Sequence, residues 1–450
     1  MVRIGPMASP ESRPKSGLDR RELMAGLGAA ALAPFAPAAG LAQGKPQAQP
    51  ALALQAKPAS LPLRTDGPAT PIWALQGPEL GFGRGETAEI TFANELPVPT
   101  LLGIRGLDGV AAAEPLTGRA PLVAGAKETL KLPLRHAGTY LCGLGLLGDG
   151  QARPSQARAL VVRESQPVAA DRDDVVLIED WRIGADGIAV APGTDPKDLT
   201  PVQTINGRPS FDLSARSNER IRLRFINASQ RTVFAVKLDG IEARLMALDG
   251  QPAEPFVARN GALVIAPGGR VDVFLDVIGA AGTTYPILLH DGRNARPIGK
   301  LTVSNEPPVR PAPLPPAPSL PSNGLPAQIE LKSATRVDLG LGGPPAEWAT
   351  PAAFSKTSPP AFRIKPGRSV VLALTNRAAV AIVFHLHGHH FRLLDRLDDG
   401  WKPFWLDTLA IEPGQTQRIA FLAEYSGRYL IEQVATDWAA PRLVRWYDVA

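Results

Sequence analysis

Short segments in which apolar and polar residues alternate recur along most of the chain. Residues 87–92 and 220–225 are two clear examples. A period of two places alternate side chains on opposite faces of a strand, so we expect one face of each segment in a core and the other in water. Turn motifs such as Asp249-Gly250 and Pro413-Gly414 separate the segments. The pattern predicts an all-β protein.

Two breaks in this pattern divide the chain into three β domains. Residues 306–326 contain too many prolines for a central strand and predict an extended, semi-rigid connector. A weaker boundary lies near Pro167, before an apolar strand segment. We therefore expect domains at 61–166, 167–305 and 327–450, each of the usual size for a β-sandwich.

The first 60 residues have a different character. Arg20-Arg21 precede an apolar, alanine-rich run that is too short to span a bilayer comfortably, and small residues end it near Ala42. Residues 1–42 therefore predict a signal peptide of the twin-arginine type, or an ordinary one that contains an arginine pair by chance. Residues 43–60 are rich in Gln, Ala and Pro and predict a flexible arm. We expect a periplasmic protein whose mature part has no integral membrane segment.

Charge and cysteine content narrow the class further. The net charge is +5, and no dense basic run accompanies it, which argues against a nucleic-acid partner. Cys142 is the single cysteine, so an intrachain disulfide is impossible even in an oxidising compartment. We expect Cys142 to be a buried, inert thiol.

An ordered set of short motifs resembles the multicopper oxidases over nearly all of the mature chain. The motifs are NELP at 94–97, AGTY at 137–140, ING at 205–207, RLRFIN at 222–227, DGQP at 249–252, PGGRVD at 267–272, HLHGH at 385–389, WLDT at 405–408 and GRY at 427–429. The resemblance implies three consecutive cupredoxin-like Greek-key β-sandwich domains. It also implies a blue copper, bound by two His, a Cys thiolate and a weak axial ligand, and a three-copper cluster bound by eight imidazoles.

Most positions that the resemblance assigns to copper ligands hold other residues. These vacated positions are Gly103, Arg105, Gly143, Gly145, Ile382, Glu432, Gln433, Val434, Trp438 and Leu443. His385 and His387 are retained. The whole chain contains six His, fewer than the cluster alone requires, so the sequence excludes four-copper catalysis.

The remaining histidines leave two hypotheses open. His385 and His387 lie two residues apart on a predicted strand and point to one face. They could form a residual copper or zinc site, completed by His389, His390 or a carboxylate. The alternative is an inherited pair that is hydrogen-bonded in a core without metal. We favour this second interpretation and expect no cofactor.

Two replacements suggest what fills the space of the cluster. Arg105 and Glu432 stand at ligand positions in motifs that the family brings together between the first and third domains. A guanidinium–carboxylate pair would satisfy the polar groups left there, so we expect these residues to pair near His385 and His387. The alternative is that both face solvent.

The sequence therefore predicts a non-catalytic periplasmic scaffold with a protein partner. It resembles the copper-free, exported members of the family that are associated with cell division and envelope stress. The alternatives are a copper-binding protein or copper-dependent oxidoreductase with a residual His site, and an enzyme built anew on the old site, for which we find no catalytic spacing.

Overall fold

The computed structural model describes residues 51–64, 67–144, 153–343, 347–395 and 400–450. The predicted signal peptide, the beginning of the predicted arm and Gly145 lie outside these ranges. Nearly all regular structure in the described residues is strand, with short 3₁₀ turns at Ala111–Ala113, Arg259–Gly261 and Pro351–Ala353. The all-β prediction is confirmed. None of the helices in the described residues has the length and hydropathy to cross a membrane.

The first pair of sheets is built from eight strands within residues 52–163. They are β1 (Leu52–Leu61), β2 (Thr70–Gln76), β3 (Leu80–Gly83), β4 (Thr87–Asn94), β5 (Gly103–Arg105), β6 (Lys127–Pro133), β7 (Gly138–Gly143) and β8 (Arg158–Arg163). One sheet has the order β2-β1-β4-β6 and the other β3-β8-β7-β5. Phe92, Leu132, Leu160 and other fully buried apolar residues form the core between them.

The second pair occupies residues 172–303. Its strands are β9 (Arg172–Arg182), β10 (Pro201–Ile205), β11 (Phe211–Ala215), β12 (Glu219–Asn227), β13 (Phe234–Leu238), β14 (Ala243–Leu248), β15 (Gln251–Val257), β16 (Ala262–Ile265), β17 (Arg270–Val277), β18 (Thr284–His290) and β19 (Ala295–Val303). The two sheets have the orders β10-β9-β12-β17-β14-β15 and β11-β19-β18-β13-β16.

The third pair occupies residues 335–449. Its strands are β20 (Thr335–Leu341), β21 (Arg363–Ile364), β22 (Arg368–Asn376), β23 (Ile382–Leu386), β24 (Arg392–Leu393), β25 (Thr408–Ile411), β26 (Thr416–Ala423), β27 (Gly427–Ala435) and β28 (Leu443–Val449). The orders are β20-β22-β26-β24 and β21-β28-β27-β23-β25.

The same pattern of parallel strand pairing occurs three times. In each pair, one sheet contains a parallel pairing of an early strand with a later one: β1 with β4, β9 with β12, and β20 with β22. The partner sheet also contains one: β3 with β8, β11 with β19, and β21 with β28. Since parallel neighbours cannot be joined by a tight hairpin, each domain needs crossover connections, as a Greek-key sandwich does.

The flexible arm predicted for residues 43–60 is wrong from residue 52 onward. Residues 52–61 form β1, which lies inside its sheet between β2 and β4. Leu54 and Ala56 are fully buried. The Gln/Ala/Pro composition concealed a strand because Pro58 lies where the strand pairs only with β2, beyond its last pairing with β4.

The alternating pattern on β12 also misled in one respect. The arginines of residues 220–225 were expected on a water-facing side, yet Arg220, Arg222 and Arg224 are at most 1% exposed. Arg222 and Arg224 both donate to Asp272 on β17, and Arg224 also donates to the hydroxyl of Thr139 in the first domain. The second face of this sheet packs against another domain, so its charged residues are paired rather than hydrated.

The proline-rich connector is packed against the domains. Residues 304–334 contain no strand, and Ala317 and Leu320 are buried against Met246 and Phe274. The side-chain amide of Asn323 accepts a hydrogen bond from the backbone N–H of Ala137 and donates one to the backbone O of the same residue. The connector therefore helps to hold the first two domains together.

Candidate functional site

A cavity of about 80 Å³ lies where the three domains meet. Strand β5 supplies Arg105 from the first domain, and Ser229 and Gly268 line it from the second. Strands β23 and β27 are neighbours in one sheet, with His385 opposite Glu432 in register. Adjacent strands thus bring His385 and Glu432 to the cavity that Arg105 enters from another domain.

Glu432 is the centre of an ion-paired cluster beside this cavity. Arg105 donates from Nη2 to its Oε2 over 2.7 Å, and Arg442 donates to the same oxygen over 2.7 Å. The expected pairing of Arg105 with Glu432 is confirmed. Burial alone would raise the pKa of Glu432, but Arg105 and Arg442 hold it well below its usual range.

His387 bridges two carboxylates. Its Nε2 lies 2.7 Å from Oε1 of Glu432, and its Nδ1 lies 2.7 Å from Oε1 of Glu114. A carboxylate can only accept, so both ring nitrogens carry hydrogen and the ring is an imidazolium. Burial lowers the pKa of His387, but Glu114 and Glu432 outweigh it and raise the pKa to about 9. Neither ring nitrogen has a lone pair for a metal.

His385 is neutral. Its Nδ1 lies 3.0 Å from the backbone O of Asp407 and 3.0 Å from Oγ1 of Thr408. The Thr408 hydroxyl donates to the Asp407 carboxylate, so Nδ1–H of His385 is the donor and Nε2 keeps a lone pair. Burial and, to a smaller extent, the positive charge of Arg105 lower the pKa of His385 to about 3. Among the described residues, Nε2 has no hydrogen-bond partner, and His385 lines the cavity.

His389 and His390 do not complete a site with His385 and His387, contrary to the accessory role expected for them. Gly388 has φ 76°, which ends the strand alternation. His389 lies 2.7 Å from the Tyr447 hydroxyl at Nδ1 and accepts from the Tyr425 N–H at Nε2. The next residue, His390, faces the first and second domains.

His390 belongs to a buried junction of the three domains. Its Nδ1 lies 2.8 Å from Oδ2 of Asp108, and its Nε2 lies 2.9 Å from the backbone O of Asp249. His136 Nδ1 approaches the same Asp108 oxygen at 3.2 Å. Among the described residues, Asp108, His136 and His390 are the one group of three such side chains close enough to share a metal ion. His390, however, donates from both nitrogens, since both of its partners are acceptors.

The other positions expected to be vacated copper sites are filled by ordinary packing. Gly103 pairs with Gly143 between β5 and β7. Ile382 is in the core of the third domain. Gln433 accepts from the Gly342 N–H, and Trp438 donates to the backbone O of Ala191. Val434 lines the cavity, and Leu443 begins β28. Cys142 is fully buried, and burial raises its pKa to about 12, as expected for an inert thiol.

Sequence reasoning missed Glu114 and Arg442, which complete the cluster. Both lie outside the motifs that carry the resemblance. Glu114 follows a short 3₁₀ turn and is 8% exposed, and Arg442 directly precedes β28 and is 5% exposed. A glutamate in the otherwise apolar stretch 110–116 was a usable signal, because a charge in such surroundings needs a partner.

Comparison with known proteins agrees with the three-domain architecture. Models described as multicopper oxidase match residues 173–304 and 328–446, more than half of the chain. The chain belongs to the multicopper oxidase family. A multicopper oxidase of Pseudomonas thermotolerans has the same fold, with a TM-score of 0.75 at 24% identity over 88% of this chain and 98% of that one.

Two relatives of the chain have names that describe different roles. Multicopper oxidase MmcO of Mycobacterium tuberculosis is 26% identical over 79% of this chain and 78% of its own length. Cell division protein FtsP of Haemophilus influenzae is 25% identical over 46% of each chain.

The donor set at the cavity does not fit the three-copper cluster that the family implies. The available imidazole lone pair is Nε2 of His385, whereas both nitrogens of His387 face carboxylates. A guanidinium occupies another ligand position and cannot lose its proton. Copper(II) prefers several neutral imidazoles, and the described residues of this cavity do not offer them.

Proposed function

We propose that this chain is an exported, non-catalytic member of the multicopper oxidase family that acts in the bacterial periplasm as a scaffold or interaction protein. The observation that carries the proposal is the bridging of His387 between Glu114 and Glu432. It turns a ligand position into part of a salt-bridge network. With Arg105 and Arg442 on the same carboxylate, the buried charge of Glu432 is paired without metal.

The likeness to FtsP supports a role in cell division. That protein is named for cell division, and it matches nearly half of this chain. The arginine pair at residues 20–21 supports export, because such a pair before an apolar run is typical of twin-arginine signals. A folded β-sandwich array presents a large fixed surface, which suits a scaffold.

The experiment is metal analysis of periplasmically expressed protein by mass spectrometry, before and after incubation with copper. An absorption scan near 600 nm and a phenol-oxidation assay are run on the same samples, with MmcO as the matched control. We expect MmcO to oxidise the phenol and this chain to show no stoichiometric metal, no blue band and no turnover. About one equivalent of copper or zinc, lost in His385→Ala and His387→Ala variants, would instead make it a metal-binding protein.

Export is tested separately by cell fractionation. Replacing Arg20 and Arg21 together by Lys should retain the protein in the cytoplasm, whereas replacing Arg13 by Lys should leave it in the periplasm. Periplasmic recovery of the double variant would contradict the twin-arginine assignment.

A further inference from the structure

A groove of about 740 Å³ lies between β8 of the first domain and β9 of the second. Apolar side chains of both strands line it, among them Ala159, Val161 and Val175. Asp173 and Glu179 also line it and lie six residues apart on β9, which corresponds to about 20 Å of strand. The groove is therefore long enough for about six residues of an extended chain.

Glu179, at one end of the groove, is a buried carboxyl group with no cationic partner among the described residues. It is 3% exposed. One oxygen accepts from the Ala157 N–H over 2.8 Å, and the other accepts from the Thr204 hydroxyl over 3.4 Å. Burial raises the pKa of Glu179 to about 8, and no lysine or arginine of the described chain offsets this. A buried carboxylate without a counter-charge is costly, so this position favours an incoming cation.

The neighbouring charged groups of the groove do not create a second demand of this kind. Asp173 accepts from Arg224 at both oxygens, and Asp174 accepts from Arg172. Arg158 donates to two backbone oxygens that precede β3, so it forms no ion pair with the buried carboxyl group. The requirement for an external cation is thus confined to the end of the groove at Glu179.

We propose that this groove binds an extended segment of a partner protein, and that a lysine or arginine side chain of the segment pairs with Glu179. The apolar walls contact the rest of the segment, and the length of the groove suits a peptide better than a small amine. A single cationic anchor in a desolvated pocket is typical of protein interfaces. The inference rests on the proposed function, which requires a protein partner, and it names the chemistry by which that partner is recognised.

The test is fluorescence anisotropy of purified, exported protein with end-labelled hexapeptides at pH 8.5, where the carboxyl group of Glu179 is ionised. The third residue of the peptide is lysine, arginine, norleucine or glutamate, and valine and alanine fill the other positions. Norleucine is the matched probe, because it keeps the aliphatic chain of lysine without the charge. We expect the lysine or arginine peptide to bind at least about tenfold more tightly than the norleucine peptide, the ratio that one charge-assisted hydrogen bond provides. The tighter of the two assigns an ammonium or a guanidinium anchor.

Three variants locate the site. Glu179→Gln should lower the affinity for the cationic peptides to that for the norleucine peptide, and should leave the norleucine peptide unaffected. Val161→Tyr places a larger side chain in the groove and should weaken the binding of all four peptides. Glu254→Gln, a matched change at an exposed position on β15, should change none of these affinities.

Equal affinity of wild-type protein for the cationic and norleucine peptides would overturn the inference, and so would the absence of binding by all four peptides at about 1 mM. A second copy of the chain in the groove would also overturn it. Light scattering would then give a dimer for the wild type and a monomer for Glu179→Gln.

Metal analysis and the phenol-oxidation assay on the same samples separate this inference from the proposed function. Stoichiometric copper with turnover contradicts the proposed function, whether or not the peptides bind. Metal-free, inactive protein that does not prefer the cationic peptides contradicts this inference alone.

Discussion

Arg270 and Asp407 form a two-point ion pair across the boundary between the second and third domains. Nη1 of Arg270 donates to Oδ1 over 2.8 Å, and Nη2 donates to Oδ2 over 2.6 Å. Nε of the same guanidinium donates to the backbone O of Thr139 in the first domain over 3.1 Å. One side chain therefore contacts all three domains, in a place where Arg270 is 0% and Asp407 is 2% exposed.

Replacing Arg270 by Met should destabilise the protein by about 3–5 kcal/mol, because it leaves the Asp407 carboxylate buried without its partner. Urea unfolding, monitored by tryptophan fluorescence, measures the change in the free energy of unfolding. Lys131→Met is the control, since Lys131 is 71% exposed and its pairing with Glu89 at 3.6 Å should contribute less than about 1 kcal/mol. Similar losses in both variants would contradict a structural role for the buried pair.

Replacing Glu432 by Gln should cost about 3–5 kcal/mol, because Arg105, Arg442 and His387 would lose the carboxylate that they share. The same unfolding assay applies. Glu347→Gln provides the control, since the side chain of Glu347 is 67% exposed in its pair with Arg445. If Glu432→Gln is as stable as the wild type, the charges around the cavity are not held as the structure has them.

The sequence was sufficient to predict the class of fold and one side-chain pair, since both follow from ordered motifs. Arg105 and Glu432 stand at fixed positions in strands that the fold brings together, so their contact followed from alignment. Glu114 and Arg442 lie outside these motifs, and their place depends on three-dimensional packing. No short-range pattern specifies such partners.

Two errors have the same physical origin. The period-two pattern assigns a face of a strand and leaves open whether water or another domain covers it, so Arg222 and Arg224 were misplaced. The pattern also holds only while the strand continues. Gly388, in a left-handed conformation, sends His389 and His390 away from the face that His385 occupies.

The contact between His390 and Asp108 should make stability depend on pH on the alkaline side. Burial lowers the pKa of His390, but Asp108 outweighs it and raises the pKa to about 9, above the value of about 6.5 in an unfolded chain. The folded state thus holds a proton that the unfolded state has lost. The contribution is complete below about pH 6.5 and is lost as pH rises towards 9, by up to about 1.4 kcal/mol per pH unit.

Comparing wild type with His390→Gln isolates this contribution, because His387 titrates alike in both proteins. We expect the difference in unfolding free energy to be largest at pH 6 and to shrink steadily by pH 9, as measured by urea unfolding at several pH values. A difference that stays constant over this range would show that His390 does not carry the extra proton.

Gly138 should be intolerant of any side chain, because it lies against the second domain. Its φ is 150°, and a Cβ added there would lie 2.2 Å from the backbone O of Gly250. The clash involves backbone on both sides, so Gly138→Ala must move one domain away from the other.

Gly125→Ala is the matched control, since its φ is 78° and a Cβ there meets nothing within 4 Å. It should cost only about 1 kcal/mol, from backbone strain. We expect Gly138→Ala to cost several times more in thermal unfolding and to increase protease cleavage between the first two domains. Equal costs in the two variants would mean that the domains are not in contact at Gly250.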